Sequence, residues 1–200
     1  SPTTIGSPAY GNHISYGSAD GIRIDGGGNN TVQANHVGFN ALHGIAIVDS
    51  SNNTIGSTGV ATDTGNAVAF NGKSGVTVAG NTSAGNRISR NSLNGNTALS
   101  IDLNGGTEDA FDVTENDAGD ADSGPNTLLN FPSSLTAALT STVISGTMPA
   151  DGTVEIYLIE SIADESGHGE AFQWIGDAAA SGGRFSFTIP HSLLGRCFTT

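Results

Sequence analysis

Hydrophobic residues in this chain occur mainly in triplets whose middle residue is polar or small. Such triplets are Ile-Arg-Ile at residues 22–24, Ile-Ala-Ile at 45–47 and Val-Thr-Val at 76–78. Residues two apart lie on the same face of a strand, and the glycine, asparagine and aspartate residues between the triplets are typical of turns. The pattern therefore predicts many short strands.

The triplets belong to a repeat of about 23 residues, a length that predicts a solenoid. The segment at residues 20–24 recurs at 43–47 and again at 74–78, and the segment at 12–16 recurs with the same two shifts. The second shift is the longer one and places an insertion between Ile55 and Asn66, and a smaller insertion lies at the same place in an earlier coil, at residues 7–10. We expect a fourth copy at residues 99–101, after one more shift equal to the first. Neither the spacing of a leucine-rich repeat nor a helix-length amphipathic stretch is present.

Stacking of successive coils predicts ladders of equivalent side chains along the solenoid axis, because parallel strands lie about 4.8 Å apart. We expect an aliphatic ladder with its side chains pointing inward, an aromatic ladder and an asparagine ladder whose amides bond along the axis. Leu93 of the fourth coil matches either Val37 or Phe39. The expected ladders are Ile22–Ile45–Val76, Tyr16–Phe39–Phe70 and Asn40–Asn71.

The coils at residues 53–106 and the segment TENDAGDADSGPNTLLNFP that follows resemble the right-handed parallel β-helix repeats (pectin-lyase-like fold) of large secreted or surface-exposed bacterial proteins. Residues 143–190 resemble the small β-sandwich module that commonly follows such helices. The resemblance implies an all-β fold of about four coils followed by an antiparallel β-sandwich-like module. It does not define an activity, because this fold serves lyases, hydrolases, epimerases, tailspikes and adhesins alike.

We expect three parts: β-helix coils at 1–107, an acidic linker and helix cap at 108–132, and a sandwich at 133–200 that lacks its final piece. Leu128, Leu129 and Phe131 are the expected plug of the last coil, with Pro132 halting strand pairing. In the module, residues 154, 156 and 158 share one strand face and residues 155, 157 and 159 the other. We expect Phe172 and Trp174 to complete the core that Phe185, Phe187 and Ile189 begin.

Charge narrows the range of partners. The chain has 6 basic and 19 acidic residues, a net charge of −13, which argues against binding to a phosphate backbone. It contains no apolar run long enough to span a membrane and does not begin with a signal peptide. The single cysteine, Cys197, forms no internal disulfide, and a chain that begins in mid-pattern is expected to be part of a longer protein.

Seven of the acidic residues lie between positions 108 and 122, and no lysine or arginine occurs from 91 to 183. Within this linker, Asp117, Asp120 and Asp122 offer several hard oxygen ligands among turn-forming glycines, which is the chemistry that Ca²⁺ prefers. The segment does not match an EF-hand. It is therefore either a calcium site or a solvated acidic turn between domains.

Candidate catalytic residues are few. We expect one outer face of the coils to gather Asp20, Arg23, Asp25 and His43. The residues that occupy the position of Arg23 in the next two coils are Ala46 and Thr77, so the basic group is not repeated. An Asp20–Arg23 surface pair of little energetic value is the simpler interpretation.

His13 and His36 are one rung apart, with His43 nearby, and they are either metal ligands or ordinary polar rungs.

Two function classes remain. The first is a non-catalytic secreted or cell-surface protein, an adhesin-like or carbohydrate-binding rod that has a polysaccharide or cell-surface glycan as its partner and presents the loops at residues 7–10 and 57–64. Its open first coil is also expected to favour self-association. The second is a fragment of a polysaccharide lyase or glycoside hydrolase, whose catalytic coils lie upstream or at Asp20 and Arg23.

Overall fold

Three parallel β-sheets of four strands each form the N-terminal half of the molecule, and two antiparallel sheets of three strands form the C-terminal part. The structure is a computed structural model that describes residues 1–57, 59, 64–137, 140–159, 166–194 and 196–200. Each N-terminal coil contributes one strand to each parallel sheet. This arrangement confirms the parallel β-helix of four coils.

The strands of the four coils are as follows. Coil 1 contains β1 (Thr4–Ile5), β2 (His13–Ser15) and β3 (Ile22–Asp25); coil 2 contains β4 (Thr31–Val32), β5 (His36–Gly38) and β6 (Ile45–Val48); coil 3 contains β7 (Thr54–Gly56), β8 (Ala67–Ala69) and β9 (Val76–Ala79); coil 4 contains β10 (Arg87–Ser89), β11 (Ser92–Asn94) and β12 (Ile101–Asn104).

The register of the stacked strands confirms the repeat. Ile22 pairs with Ile45 and Ile45 with Val76, and all three side chains are buried. Leu93 pairs with Val68, so it is equivalent to Val37 rather than to Phe39. The fourth coil departs from expectation. Ile101 pairs with Val76, so the last shift is longer by two positions than the first.

Asparagine ladders hold the turns of successive coils together. The Asn40 side chain donates to Asn71 Oδ1 at 3.0 Å, and Asn71 donates to Asn96 Oδ1 at 2.9 Å, which confirms and extends the predicted ladder. Two further ladders run parallel to it, and in both of them each asparagine side-chain oxygen after the first accepts the backbone N–H of the preceding asparagine. These two ladders are Asn12–Asn35–Asn66–Asn91 and Asn30–Asn53–Asn86–Asn126.

The C-terminal module contains two antiparallel sheets, β13–β14–β17 and β16–β15–β18. A second hydrophobic core, which includes Ile144, Val154, Ile156, Phe185 and Ile189, lies between them. The strands of the module are β13 (Ser133–Ala137), β14 (Val143–Thr147), β15 (Gly152–Leu158), β16 (Gln173–Ala180), β17 (Arg184–Thr188) and β18 (Phe198–Thr199). The predicted sandwich-like architecture is therefore present.

The module, rather than the linker alone, covers the open edge of coil 4. The backbone N–H of Leu93 donates to the carbonyl of Ala171 at 2.7 Å, and the N–H of Arg90 donates to Glu155 Oε2 and Tyr157 Oη, each at 2.9 Å. Tyr157 also packs into the core of the β-helix. These contacts satisfy strand-edge groups that would otherwise need water or another strand.

Two residues expected in hydrophobic cores lie elsewhere. Leu128, in the short 3₁₀ segment Pro125–Leu128, is buried as expected, but the adjacent Leu129 is 57% exposed and does not plug the coil. Trp174 packs against the core of the β-helix, not the core of the sandwich. A bulge in the pairing of β15 with β16, between Ile156 and Tyr157, changes which residues of β16 face the sandwich.

Candidate functional site

A stripe of aromatic rings, defined here as Tyr16, Phe39 and Phe70, runs along the outside of the coils. Tyr16 and Phe39 stack with ring centroids 5.3 Å apart, and Phe39 and Phe70 stack at 5.2 Å. This confirms the predicted ladder, but the rings are 79%, 52% and 54% exposed rather than part of the core. Each residue follows a strand of the sheet β2–β5–β8–β11 and has a positive φ near 60°, which turns its side chain out of the strand.

The stripe ends at coil 4, where the module contacts the β-helix. Gly95 is the next residue in the ladder, and a Cβ at this position would lie 2.5 Å from the Phe70 ring. The Gly95 N–H donates to Glu170 of the module at 2.7 Å. Large exposed apolar surfaces of this kind often mark binding sites, so the stripe is the first candidate functional surface.

The two variable loops leave the β-helix beside the same sheet, after β1 and after β7. Residues 7–10 form a tight turn in which Ser7 and Tyr10 exchange two backbone hydrogen bonds of 3.0 Å, and Tyr10 projects into solvent. Most of the second loop, at 58 and 60–63, lies outside the described residues. The role predicted for that loop therefore stays a prediction.

The stacked histidines lie on the outer face of the same sheet. The rings of His13 and His36 are 4.7 Å apart and nearly parallel, at 10°. In this face-to-face arrangement the in-plane lone pairs run side by side and do not converge on one ion. Polar rungs are therefore the better interpretation of these two residues.

The structure brings the four candidate catalytic residues together, but as a bonded surface cluster. Arg23 Nη1 lies 3.3 Å from Asp20 Oδ2, and Arg23 Nε lies 3.1 Å from Asp25 Oδ2. These hydrogen bonds, first to Asp25 and then to Asp20, raise the pKa of Arg23, which therefore keeps its proton. Asp20 Oδ1 accepts the backbone N–H of His43 at 3.1 Å, and burial lowers the pKa of the His43 imidazole. The charged groups are therefore bonded to one another and to the backbone.

Asp102 is a buried carboxyl that the sequence analysis did not single out. It pairs with Thr77 on the outward row of β12, and Thr77 Oγ1 donates to Asp102 Oδ2 at 3.0 Å. The residue is 3% exposed, and its Oδ1 has no partner among the described residues. Burial, reinforced by the charges of Glu108 and Asp112, raises its pKa to about 6. Repeating the first shift pointed to Ser100 as the outward residue of coil 4, whereas the observed register identifies Asp102.

The acidic linker gathers the three predicted calcium ligands. One carboxylate oxygen from each of Asp117, Asp120 and Asp122 lies within 4.8 Å of the others, and no other such cluster occurs in the described residues. Asn130 holds the loop in place, because its backbone N–H donates to Asp120 Oδ1 at 2.8 Å and its side chain accepts the Asp117 N–H at 2.9 Å. The Oδ1 atom of Asp122 is buried and has no hydrogen-bond partner within the described ranges. Burial and the two neighbouring charges raise the pKa of Asp122.

This donor set suits a hard divalent cation. All three side chains offer carboxylate oxygens, and the crowded negative charge is what a bound Ca²⁺ neutralises. The arrangement contains no soft donor that would favour zinc or copper.

Comparisons with known proteins agree with the fold. A family model described as a right handed beta helix region matches residues 9–118, which is more than half of the chain. No curated protein and no solved structure gave a significant match. Within the described residues, no helix has the length and apolar character needed to cross a membrane.

Proposed function

Because the chain belongs to the right-handed β-helix family, we propose that it is a non-catalytic recognition scaffold that binds an extended carbohydrate along its coils. The observation that carries this proposal is the exposed aromatic stripe, which provides one ring in each of the first three coils at intervals of 5.2–5.3 Å. A rigid solenoid that repeats one contact at a fixed spacing suits a ligand that also repeats.

An extended polysaccharide has the required geometry. One β-linked pyranose unit advances the chain by a distance comparable with one rung of a parallel β-helix, so successive sugars meet successive rings. Aromatic side chains provide apolar contact area, and the polar residues on the outer face of the sheet complement sugar hydroxyls. The net charge of −13 argues against nucleic acid as the repeating partner.

The alternative function, a polysaccharide lyase or glycoside hydrolase fragment, has less support. A polysaccharide lyase needs a base that is not held in an ion pair, and a glycoside hydrolase needs two carboxylates that face the substrate. Arg23 is held by Asp20 and Asp25, and Asp102 is buried. A glycan-binding role also favours a location outside the cell or at its surface, where such polymers occur.

Binding to the stripe can be tested by titration calorimetry with cellohexaose, xylohexaose, mannohexaose and hexagalacturonate. We expect at least one hexamer to bind, and the double substitution of Phe39 and Phe70 by alanine to weaken it about tenfold or more, which is roughly 1.4 kcal/mol. Circular dichroism would verify that the variant is folded.

Phe111→Ala is the matched control, because Phe111 is also an exposed phenylalanine but lies in the linker. It is expected to bind like the wild type. Equal affinity of the wild type and the Phe39/Phe70 variant would rule out the stripe as the binding surface.

We also propose that Asp117, Asp120 and Asp122 bind Ca²⁺ and thereby stabilise the linker between the coils and the module. The proposal is supported by the convergence of the three carboxylates. It is also supported by the bonds of Asn130 to this loop, because Asn130 lies three residues before β13, the first strand of the module.

Calcium should raise the melting temperature, and a chelator should reverse the effect. A ligand present at 100 times its Kd stabilises the folded state by about 2.7 kcal/mol. Asp120→Asn with Asp122→Asn should abolish the response, whereas Glu115→Gln, an exposed acid of the same linker, should retain it. Identical melting curves with calcium and with chelator would identify the cluster as a solvated turn.

A further inference from the structure

A surface pocket of about 440 Å³ lies where the outer face of the coils meets strand β16 of the module. The pocket forms because one outward row of side chains changes from large residues to small ones along the coils. The first outward residues of β2 and β5 are His13 and His36, whereas the matching residues of β8 and β11 are Ala67 and Ser92. The small residues leave a recess below His36, and the module closes its lower side with Phe172, Gln173 and Trp174.

Arg90 forms one wall of this pocket and is unusually constrained. Its guanidinium lies over the Trp174 ring, 4.3 Å from the centroid, and Nη2 lies 2.6 Å from Asp177 Oδ2. Nη1 donates to the carbonyl of Gly59, at the start of the second variable loop. The side chain is 10% exposed, yet Nε is buried without a hydrogen-bond partner in the described part of the chain. A buried donor without a partner is costly.

We propose that this pocket is a subsite for a single uncharged sugar residue of the glycan, an inference that rests on the proposed function. Its volume lies within the usual range of small-molecule sites. The lining combines the aromatic rings of Phe172 and Trp174 with the hydroxyl, amide and imidazole groups of Ser92, Gln173 and His36. Flat apolar surface edged by hydrogen-bonding groups suits a pyranose.

The charge balance selects a neutral sugar over a uronate. The positive charge of Arg90 is already paired with Asp177, so the carboxylate of a uronate would gain little attraction from it. The net negative charge of the chain would also repel that carboxylate. The subsite also lies within reach of the aromatic stripe, because His36 is the first residue of strand β5 and Phe39 directly follows that strand. One glycan can therefore contact the stripe and place one residue in the pocket.

The subsite can be tested with the hexamer that the wild type binds and with the methyl glycoside of its sugar. Ala67→Trp fills the recess from the outer face, and Gln173→Ala removes an exposed amide. We expect Ala67→Trp to weaken hexamer binding about tenfold and to abolish saturation transfer to the methyl glycoside in NMR. Gln173→Ala should cause a smaller loss, and Thr188→Ala, on the opposite sheet of the module, should cause none.

The outcomes separate the two proposals. If Phe39→Ala loses hexamer affinity while Ala67→Trp and Gln173→Ala bind like the wild type, the subsite is refuted and the proposed function stands. If the wild type binds no hexamer, the proposed function itself fails and the subsite fails with it. Tighter binding of hexagalacturonate than of neutral hexamers would overturn the preference for an uncharged sugar.

Discussion

Replacing Asn66 with alanine is expected to lower the free energy of unfolding by about 3–5 kcal/mol, because the change removes the centre of a buried ladder. Asn66 Oδ1 accepts the backbone N–H and the side-chain amide of Asn35, at 3.0 and 3.1 Å. Asn66 Nδ2 donates to the carbonyl of Val32 and to Asn91 Oδ1, each at 2.9 Å. Alanine would leave the Asn35 backbone N–H without its acceptor, and Asn35 Nδ2, the Val32 carbonyl and Asn91 Oδ1 would each lose one hydrogen bond.

Chemical denaturation measures this effect directly. Asn81→Ala is the matched control, because Asn81 is an exposed asparagine in a turn of the same coil, and it is expected to change stability by less than about 0.5 kcal/mol. Similar losses for both variants would show that the ladder contributes no more than any surface asparagine.

Replacing Asp102 with asparagine is expected to stabilise the protein by about 2–3 kcal/mol at pH 7.5, because one pKa unit corresponds to about 1.4 kcal/mol. The pKa of this carboxyl is about 6 in the folded chain against an ordinary 3.8. Asparagine is close to aspartate in size and still offers an oxygen to Thr77, but it carries no charge that burial disfavours.

The stabilisation by Asp102→Asn is expected to depend on pH. An acid whose pKa is raised by folding destabilises the folded state wherever it is ionised. The advantage of Asp102→Asn should therefore be complete above about pH 6, decrease as the pH falls from 6 to 4, and vanish below about pH 4. Urea denaturation at pH 7.5, 5 and 4 measures this trend, with Glu115→Gln as an exposed control. A constant difference across this range would show that ionisation of Asp102 is not its cause.

The stacking of the coils could be predicted from sequence because a ladder requires equivalent residues at a fixed shift. The first two shifts of the repeat identified the correct partners of Ile45 and Asn40. Coil 4 was misplaced by two positions, because Leu99 and Ser100 replace the polar residue and glycine that mark the other copies. Because of that error, Asp102 was not recognised as the outward residue of coil 4.

Contacts between distant segments were harder to predict. Alternation along β15 assigned Val154 and Tyr157 to opposite faces, but it does not reveal that the second face packs against coil 4. Neither the bulge opposite Trp174 nor the exposure of Leu129 is indicated by the local pattern of hydrophobic and polar residues. Nothing in the local sequence around Arg90 indicates Trp174 or Asp177 as partners.

The candidate sites were predicted to different degrees. The close spacing of Asp117, Asp120 and Asp122 was sufficient to predict that they lie together, because a short glycine-containing loop brings nearby carboxylates into one turn. The stacking of Tyr16, Phe39 and Phe70 followed from the repeat. Their exposure did not, because it depends on the positive φ of each residue.

The most direct test of the proposed recognition role is co-sedimentation with insoluble cellulose, xylan and mannan, in which the pelleted protein and the sugars released into the supernatant are measured together. We predict that the wild type pellets with at least one polymer, that the Phe39/Phe70 alanine variant remains in the supernatant, and that no sugar is released. Release of oligosaccharides that is lost in Asp20→Ala or Arg23→Ala would contradict this account and identify the protein as an enzyme.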